Sequence, residues 1–141
     1  MKEFITGIAM LLILCVFITQ FTVNQVIQNK VILAENDINT FVEDIRRDGY
    51  VTEQAKANLA AKLKNDLKLT DLSEIKIEGT PFSQRKRRSF GSSYEDSLIY
   101  YRVEYPIKDV IGANEFLGIS ENDNETVRIR EGKTASEYIE W

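Results

Sequence analysis

The first half of the chain combines two patterns of hydrophobic positions. From Phe4 to Val23 no residue carries a charge. A helix of about 20 such residues is about 30 Å long, which matches the hydrocarbon core of a bilayer. A secretory signal has a shorter apolar core of about 7–15 residues, followed by a small-residue cleavage site. No such site follows Phe21, so the run is predicted to be retained as a spanning length of helix.

Beyond Val23 the apolar positions become sparser and periodic. Intervals of four and three residues, the heptad spacing of an amphipathic helix, separate Ile27, Val31, Ala34, Ile38, Phe41 and Ile45. No glycine or proline lies between Ala9 and Asp48. One helix, on the order of 65 Å long, is therefore predicted from about Phe4 to Arg47. Gly49 can take the left-handed conformation that ends it, and the six periodic residues are predicted to pack the helix against a head.

The remaining pattern predicts a second helix and three strands. Thr52 is the predicted N-cap of a helix to about Leu67, with a core stripe at Ala55, Leu59, Leu63 and Leu67. Alternation predicts strands at 74–78, ended by Gly79, at 98–105, ended by Pro106, and at 126–131. Their apolar positions are Ile75, Ile77, Ile99, Tyr101, Val103, Tyr105, Val127 and Ile129. Residues 107–119 are expected to form a short helix or an apolar loop over one end of the core.

These elements predict an α+β fold with one compact head. It consists of a long N-terminal helix with an apolar first half, a second helix and a small three-stranded antiparallel sheet. Residues 1–25 are predicted to be the transmembrane or filament-core segment. Residues 26–141 are predicted to be the extracytoplasmic head, which includes the amphipathic continuation of the helix.

Composition argues against catalysis. The chain of 141 residues contains no histidine and one cysteine, Cys15, which lies inside the apolar run. The commonest general base and the commonest zinc ligand are therefore missing, and no disulfide can form within the chain. An enzyme would need carboxylates such as Asp96, Glu104 and Glu115 to converge, which their spacing does not suggest. We expect no enzyme, no cofactor and no metal site.

A basic cluster interrupts an otherwise acidic head. The net charge is −4, yet Arg85, Lys86, Arg87 and Arg88 follow one another in a predicted exposed loop from Thr80 to Asp96. The cluster could contact DNA, teichoic acid or another anionic surface, or it could be a solvated loop or a salt-bridge partner of a neighbouring subunit. Because no aromatic-interleaved basic face accompanies it, polyanion binding is the less favoured alternative. The sequon at Asn124 is too short a motif to predict glycosylation.

The first three residues form a charged end ahead of the apolar run. Lys2 and the amino terminus oppose Glu3 before the apolar run, and the next charge is Lys30. This asymmetry favours the N-terminus inside and the head outside. Glu3 either caps the helix dipole in the headgroup region or neutralises the amino terminus or Lys2 of a neighbouring copy. In the second case Met1, Lys2 and Glu3 would set the register between subunits.

The architecture resembles the subunits of type IV filaments, namely pilins, pseudopilins and Tad-type pilin-like proteins. The segments IGANEFLGIS and MKEFITGIAMLLIL are similar to small proteins of Tad-like pilus gene sets in Gram-positive bacteria. The resemblance implies that Phe4 to Val23 packs in a filament core while the head faces solvent. The implied core residues are Phe4, Ile5, Ile8, Leu11, Leu12, Cys15, Val16, Phe17, Thr19 and Phe21. Thr6, Thr19, Gln20 and Thr22 would hydrogen-bond across helices.

Membership would imply a homopolymer that waits in the membrane and is extended by pilus assembly machinery into an extracellular filament. Type IV pilins usually carry their buried acid at the fifth mature position, behind a cleaved leader. Here the fifth residue is Ile5, the nearest acid is Glu3, and no leader precedes Met1. The sequence lacks its leader, or the protein is unprocessed, or it inserts without cleavage. The alternative is a single-pass membrane-anchored accessory protein of a secretion, conjugation or pilus-assembly machine.

Overall fold

The computed structural model describes residues 2–88, 93–112, 114, 117–120 and 123–139. They confirm the α+β class, with a long N-terminal helix, a second helix and a three-stranded antiparallel sheet. The helices are α1 (Lys2–Asp48) and α2 (Glu53–Leu67), and the strands are β1 (Lys76–Gly79), β2 (Leu98–Lys108) and β3 (Glu125–Ala135). Short 3-10 helices lie at Leu72–Glu74, Phe82–Gln84 and Tyr94–Ser97.

Helix α1 is one uninterrupted element of 47 residues, as the pattern predicted. It ends at Gly49, whose φ of +81° is left-handed. A Cβ at this position would also lie 2.3 Å from the carbonyl oxygen of Lys86. Glycine is therefore required both by the backbone conformation that ends the helix and by the close approach of the next loop.

Helix α2 begins as expected at the Thr52 cap. The Ala55 amide donates to Thr52 Oγ1 at 3.0 Å, satisfying one of the free N–H groups of the first turn. The predicted stripe is buried at Ala55, Leu59, Leu63 and Leu67. An interval of four residues keeps these side chains on one face, so α2 contributes a continuous apolar strip to the core.

The sheet order is β1-β2-β3, and β1 pairs antiparallel with Tyr101–Glu104 of β2. Pro106 does not end β2, contrary to the prediction, because the strand continues to Lys108. Proline is tolerated in a strand where its missing N–H faces no partner. Pro106 lies beyond the segment that β1 pairs, so on that side of β2 no ladder bond is lost.

The third strand is longer than predicted, and its apolar residues are exposed. Val127 and Ile129 keep 60% and 53% of their surface accessible, so these apolar positions of the predicted strand lie outside the core. Arg130 Nε instead lies 3.5 Å from Glu35 Oε2 on α1. Glu131 pairs with Arg102 on the opposite face. At the edge of the sheet the helix-facing positions are thus taken by arginine, which reaches a carboxylate, and alternation turns Val127 and Ile129 outward.

Two smaller predictions also change. Glu74 belongs to a 3-10 helix rather than to β1, because its carboxylate accepts from the Asp71 amide at 3.3 Å as part of a capping box. Residues 107–119 begin as the end of β2 and continue as turns, with Asp109 and Gly118 at positive φ. Of the two alternatives expected for 107–119, a short helix or an apolar loop, the described residues 107–112, 114 and 117–119 form no helix.

The chain divides into two compact units. The helix–loop unit comprises Met1–Val31 and Ile107–Thr126, and the head unit comprises Ile32–Pro106 and Val127–Trp141. In the head unit the core lies between α1, α2 and the inner face of β2, where Phe41 meets Tyr101 edge to face with ring centroids 6.5 Å apart. Its fully buried side chains include Ile38, Ile45, Leu59, Leu63, Leu67, Ile99, Val103 and Tyr105.

Candidate membrane and assembly surface

The apolar first half of α1 has little cover in the chain. Its larger apolar side chains are 47–73% exposed, a set we call the apolar band: Phe4, Ile5, Ile8, Met10, Leu11, Leu12, Ile13, Leu14, Phe17, Ile18 and Phe21. The helix is long and apolar enough to cross a membrane. Monomeric proteins in water rarely leave an apolar surface of this extent uncovered, so the band is a site for lipid or protein contact.

The structure exposes most residues predicted for the filament core. Val16 is half-buried, whereas Phe4, Ile5, Ile8, Leu11, Leu12, Cys15, Phe17, Thr19 and Phe21 are exposed. Lys2 and Glu3 are exposed in the first turn of α1, and Met1 lies outside the described residues. The side chain of Glu3 therefore lies at the N-terminal end of the helix, where a carboxylate is stabilised by the free N–H groups.

The hydroxyl groups of the apolar run bond within their own helix. Thr6, Thr19 and Thr22 donate to the carbonyl oxygens of Lys2, Cys15 and Ile18 at 2.9–3.0 Å. Back-bonding of this kind satisfies a hydroxyl in an apolar surrounding without a second helix. These threonines consequently do not require the cross-helix hydrogen bonds predicted for them.

Gln20 connects α1 to the loop part of the helix–loop unit through two side-chain hydrogen bonds. Its side-chain nitrogen donates to the carbonyl oxygen of Val110 at 3.2 Å, and its side-chain oxygen accepts from the Gly112 amide at 2.9 Å. We call Ile107–Thr126 the returning segment, because it brings the chain back to the helix residues that precede Val31. The carboxamide pairs with one donor and one acceptor of this segment, a complementary match that an apolar residue could not make.

Gly112 allows the returning segment to approach the helix closely. A Cβ at this position would lie 2.9 Å from Thr19 Cγ2 and 3.0 Å from Val23 Cγ2. Both distances are shorter than ordinary carbon contacts. The small residue is therefore what lets the Gly112 amide reach Gln20.

A second amide holds the returning segment from within. Asn124 is buried, and its side-chain oxygen accepts from the Ile111 amide at 2.6 Å while its side-chain nitrogen donates to the Ile111 carbonyl at 3.1 Å. Its backbone carbonyl accepts from the amides of Asp109 and Val110. The side-chain nitrogen that glycosylation would modify is buried and hydrogen-bonded. Asn124 therefore has a structural role in the returning segment.

Sequence reasoning missed this arrangement, although one signal for it exists. Gln20 is the one amide side chain within Phe4–Val23 and precedes Val23 and Ile27 at the spacing of the amphipathic stripe. Half-buried positions accordingly extend the stripe toward the N-terminus through Val16, Gln20, Val23, Ile27 and Val31. The stripe thus begins before Ile27, where the predicted seam starts. Of the six seam residues, Ala34, Ile38, Phe41 and Ile45 are buried, whereas Ile27 and Val31 are half-buried.

The basic cluster is not a uniform exposed patch. Arg85 Nε donates to the Asp48 carbonyl at 2.8 Å at the end of α1, and its guanidinium lies 3.5 Å from the centroid of the Tyr138 ring. The Lys86 amide donates to the Gly49 carbonyl at 2.7 Å. Arg85 and Lys86 are half-buried, whereas Arg87 and Arg88 are exposed. The first two residues therefore close the end of α1, which leaves Arg87 and Arg88 as the surface-facing pair.

The carboxyl group of Asp37 on α1 has a raised pKa and lies near Lys62 of α2. Burial raises the pKa of the Asp37 carboxyl, the like charge of Asp66 raises it further, and Lys62 opposes both. Lys62 Nζ is 3.9 Å from Asp37 Oδ1, and Oδ2 has no hydrogen-bond partner among the described residues. A buried carboxylate that is incompletely paired destabilises the fold at neutral pH.

The carboxylates weighed for catalysis do not form a group in the part of the chain described. Glu104 Oε1 accepts from Arg102 Nε at 2.9 Å, Asp96 lies in a separate 3-10 helix, and Glu115 is outside the described residues. Among those residues no cluster of three or more histidine, cysteine, aspartate or glutamate side chains is placed to hold a metal ion. The band and the returning segment are thus the features that call for a functional explanation.

Comparison with protein-family models, with curated proteins and with solved structures finds no match to this chain. The functional argument consequently rests on the geometry of the chain itself.

Proposed function

We propose that this protein is the structural subunit of an extracellular type IV-like pilus of the Tad type, assembling through its apolar N-terminal helix. The observation that supports this most is the double use of α1. The same uninterrupted helix carries the exposed apolar band and buries Ala34, Ile38, Phe41 and Ile45 in the head unit. Helix α1 therefore joins the band to the head without a flexible linker.

The band would have two successive environments. Before assembly it lies in the cell membrane, with the N-terminus inside and the head outside. In the filament it packs against the bands of other copies, delivered by the pilus assembly machinery. Since lipid tails are as apolar as leucine, transfer from bilayer to filament is driven by close packing rather than by escape from water.

Glu3 is proposed to fix the axial register of neighbouring subunits. In the dry centre of a filament a carboxylate facing the amino terminus or Lys2 of the next copy is more stable than two separate charges. Replacing Glu3 by alanine should therefore reduce filament yield, while replacing the exposed head residue Glu43 by alanine should not. Equal yields from both variants would remove the register role.

A second candidate is a single-pass membrane-anchored accessory protein of a secretion, conjugation or pilus-assembly machine. One observation favours it specifically: Gln20 already has its hydrogen-bond partners within the chain. A helix whose polar group is satisfied in this way does not need another copy for that purpose. The same apolar band would then serve as a permanent anchor.

Shearing and detergent extraction distinguish the two candidates. A filament subunit is released by shear from intact cells as a polymer that sediments at high speed. An accessory anchor stays in the membrane fraction and elutes from detergent as a monomer or a fixed complex. Recovery of the chain exclusively in the second form would overturn the pilus proposal.

A further inference from the structure

We propose that the returning segment is a membrane-interface element, which lies in the headgroup region on the head side of the bilayer with Leu117 at the acyl boundary. The inference rests on the proposed function in one respect, namely that the apolar band occupies a bilayer before assembly. It goes beyond that function by assigning a lipid contact to a second stretch of the chain.

The first argument is position along the helix. Val110 and Gly112 bond to Gln20, so the returning segment lies beside the helix at the end of the apolar band rather than beyond it. The apolar band from Phe4 to Phe21 is about 27 Å long at 1.5 Å per residue. That is close to a hydrocarbon core of about 30 Å, so Gln20 lies near one end of the core. The returning segment therefore lies at the depth where one membrane boundary falls.

The second argument is that the backbone amides from Asp109 to Gly112 all have partners within the chain. Gln20 bonds Val110 and Gly112, and Asn124 bonds the amides of Asp109, Val110 and Ile111 together with the carbonyl of Ile111. Non-helical backbone is tolerated near a membrane only where such groups have partners, because each unsatisfied group costs several kcal/mol in hydrocarbon.

Two backbone amides at the tip of the segment are also hydrogen-bonded within it. The Asn114 carbonyl accepts from the amides of Leu117 and Ile119 at 3.1 and 2.9 Å. These bonds form a tight turn around Gly118, whose φ is +70°. The turn leaves the Leu117 side chain exposed while the amides of Leu117 and Ile119 are bonded.

The third argument is the surface that this turn presents. Leu117 is 50% exposed, and Val110, Ile111 and Ile119 are half-buried. The exposed charges of the described part are the carboxylates of Asp109, Asp123 and Glu125. A surface of leucine and isoleucine edged by carboxylates suits zwitterionic lipid, whereas an anionic leaflet would repel it.

Tryptophan fluorescence in vesicles tests the assignment. The sole native tryptophan is replaced in a W141F background, and single tryptophans are introduced by L117W, by F17W in the apolar band and by L72W in the head unit. Leu72 is a matched control because it is 47% exposed, close to Leu117. The full-length variants are reconstituted into phosphatidylcholine vesicles with and without brominated acyl chains.

The proposal predicts that brominated lipid removes about half or more of the L117W emission, as it does for F17W, and leaves L72W unaffected. Quenching of F17W without quenching of L117W would overturn the interface assignment and leave the membrane step of the proposed function standing. Absence of quenching for F17W would overturn both. Equal quenching of L117W and L72W would indicate adsorption of the whole head, and shielding of L117W that depends on protein concentration would indicate a second copy; each result contradicts the proposal.

Discussion

The side-chain oxygen of Gln20 accepts a hydrogen bond from the backbone amide of Gly112, 2.9 Å away and 92 residues later in the chain. The Gln20 nitrogen completes the pair on the Val110 carbonyl. A polar residue inside an apolar run is thereby satisfied by its own chain. Helix and returning segment form one unit at this point, and the properties of that unit can be tested separately from filament assembly.

Replacing Gln20 by leucine should release the returning segment while leaving α1 helical. The variant loses both hydrogen bonds and leaves the Val110 carbonyl and Gly112 amide without this partner. The Gly112 amide should exchange with deuterium about tenfold faster, the equivalent of one hydrogen bond of up to about 1.5 kcal/mol. Hydrogen exchange of the full chain in detergent, read by mass spectrometry, measures the effect.

The exposed residue Gln25 on the same helix provides the control. Gln25→Leu raises the apolar content of α1 equally and should leave the Gly112 amide protected. An unchanged exchange rate in Gln20→Leu would show that the returning segment is held by other contacts.

Adding one methyl group at Gly112 should also displace the segment. A Cβ there would be 2.9 Å from Thr19 Cγ2, so Gly112→Ala must push the loop outward and lengthen its bond to Gln20. Thr19→Ser removes that methyl and keeps the hydroxyl that bonds to Cys15. The double variant should therefore recover part of the protection at residue 112 in the same exchange experiment.

Gly7→Ala is the matched substitution, since no atom lies within 4 Å of a Cβ at that position. It should leave exchange at residue 112 unchanged. If Gly112→Ala behaves like Gly7→Ala, the close approach of loop and helix is not required.

Prediction from sequence succeeded where one short-range rule decides the structure. Gly49 ends α1, Thr52 caps α2, and the stripe from Ala55 to Leu67 is buried as its interval of four residues requires. Each of these depends on neighbours within a few positions. The α+β class followed from the same local signals.

Prediction failed where a residue's partner is distant in sequence. Gln20 was assigned to other copies because its partners near residue 110 could not be recognised from spacing. The exposure of Val127 and Ile129 could not be predicted because alternation does not say which face of an edge strand meets the helix. In the structure the face of Arg130 meets it, and Arg130 pairs with Glu35.

Arg85 should contribute more to stability than an arginine that lies exposed on the surface. Its guanidinium bonds the last carbonyl of α1 and stacks on Tyr138. Arg85→Ala should lower the free energy of unfolding by about 1–3 kcal/mol, as expected for a charged hydrogen bond and a cation–π contact. Chemical denaturation followed by circular dichroism provides the measurement.

The exposed Arg47 gives the comparison, and Arg47→Ala should change stability by less than about 0.5 kcal/mol. Arg85→Lys should recover only part of the loss, because an ammonium group cannot stack as a planar guanidinium does. Equal effects of Arg85→Ala and Arg47→Ala would contradict a structural role for Arg85.

Asp37 should make the head less stable at neutral pH than at acidic pH. Burial and Asp66 raise the pKa of Asp37 above 3.8, its ordinary value. The folded state therefore binds the proton more tightly than the unfolded state, and this residue's contribution to stability improves as pH falls through the folded pKa. Asp37→Asn should raise the melting temperature at pH 7, with the difference from wild type disappearing below about pH 3.8.

Glu43→Gln removes one negative charge from an exposed site on the same helix. It separates the effect of burial at Asp37 from a change in net charge. A melting temperature at pH 7 that rises equally in both variants would assign the gain to net charge rather than to Asp37.

Electron cryo-microscopy of the material sheared from cells that produce the protein tests the central claim most directly. The account predicts helical filaments of this chain in which the apolar bands of neighbouring copies, from Phe4 to Phe21, pack together at the centre and the heads lie outside. A chain that remains in the membrane fraction as a detergent-soluble monomer, with no filament in the sheared material, would contradict it.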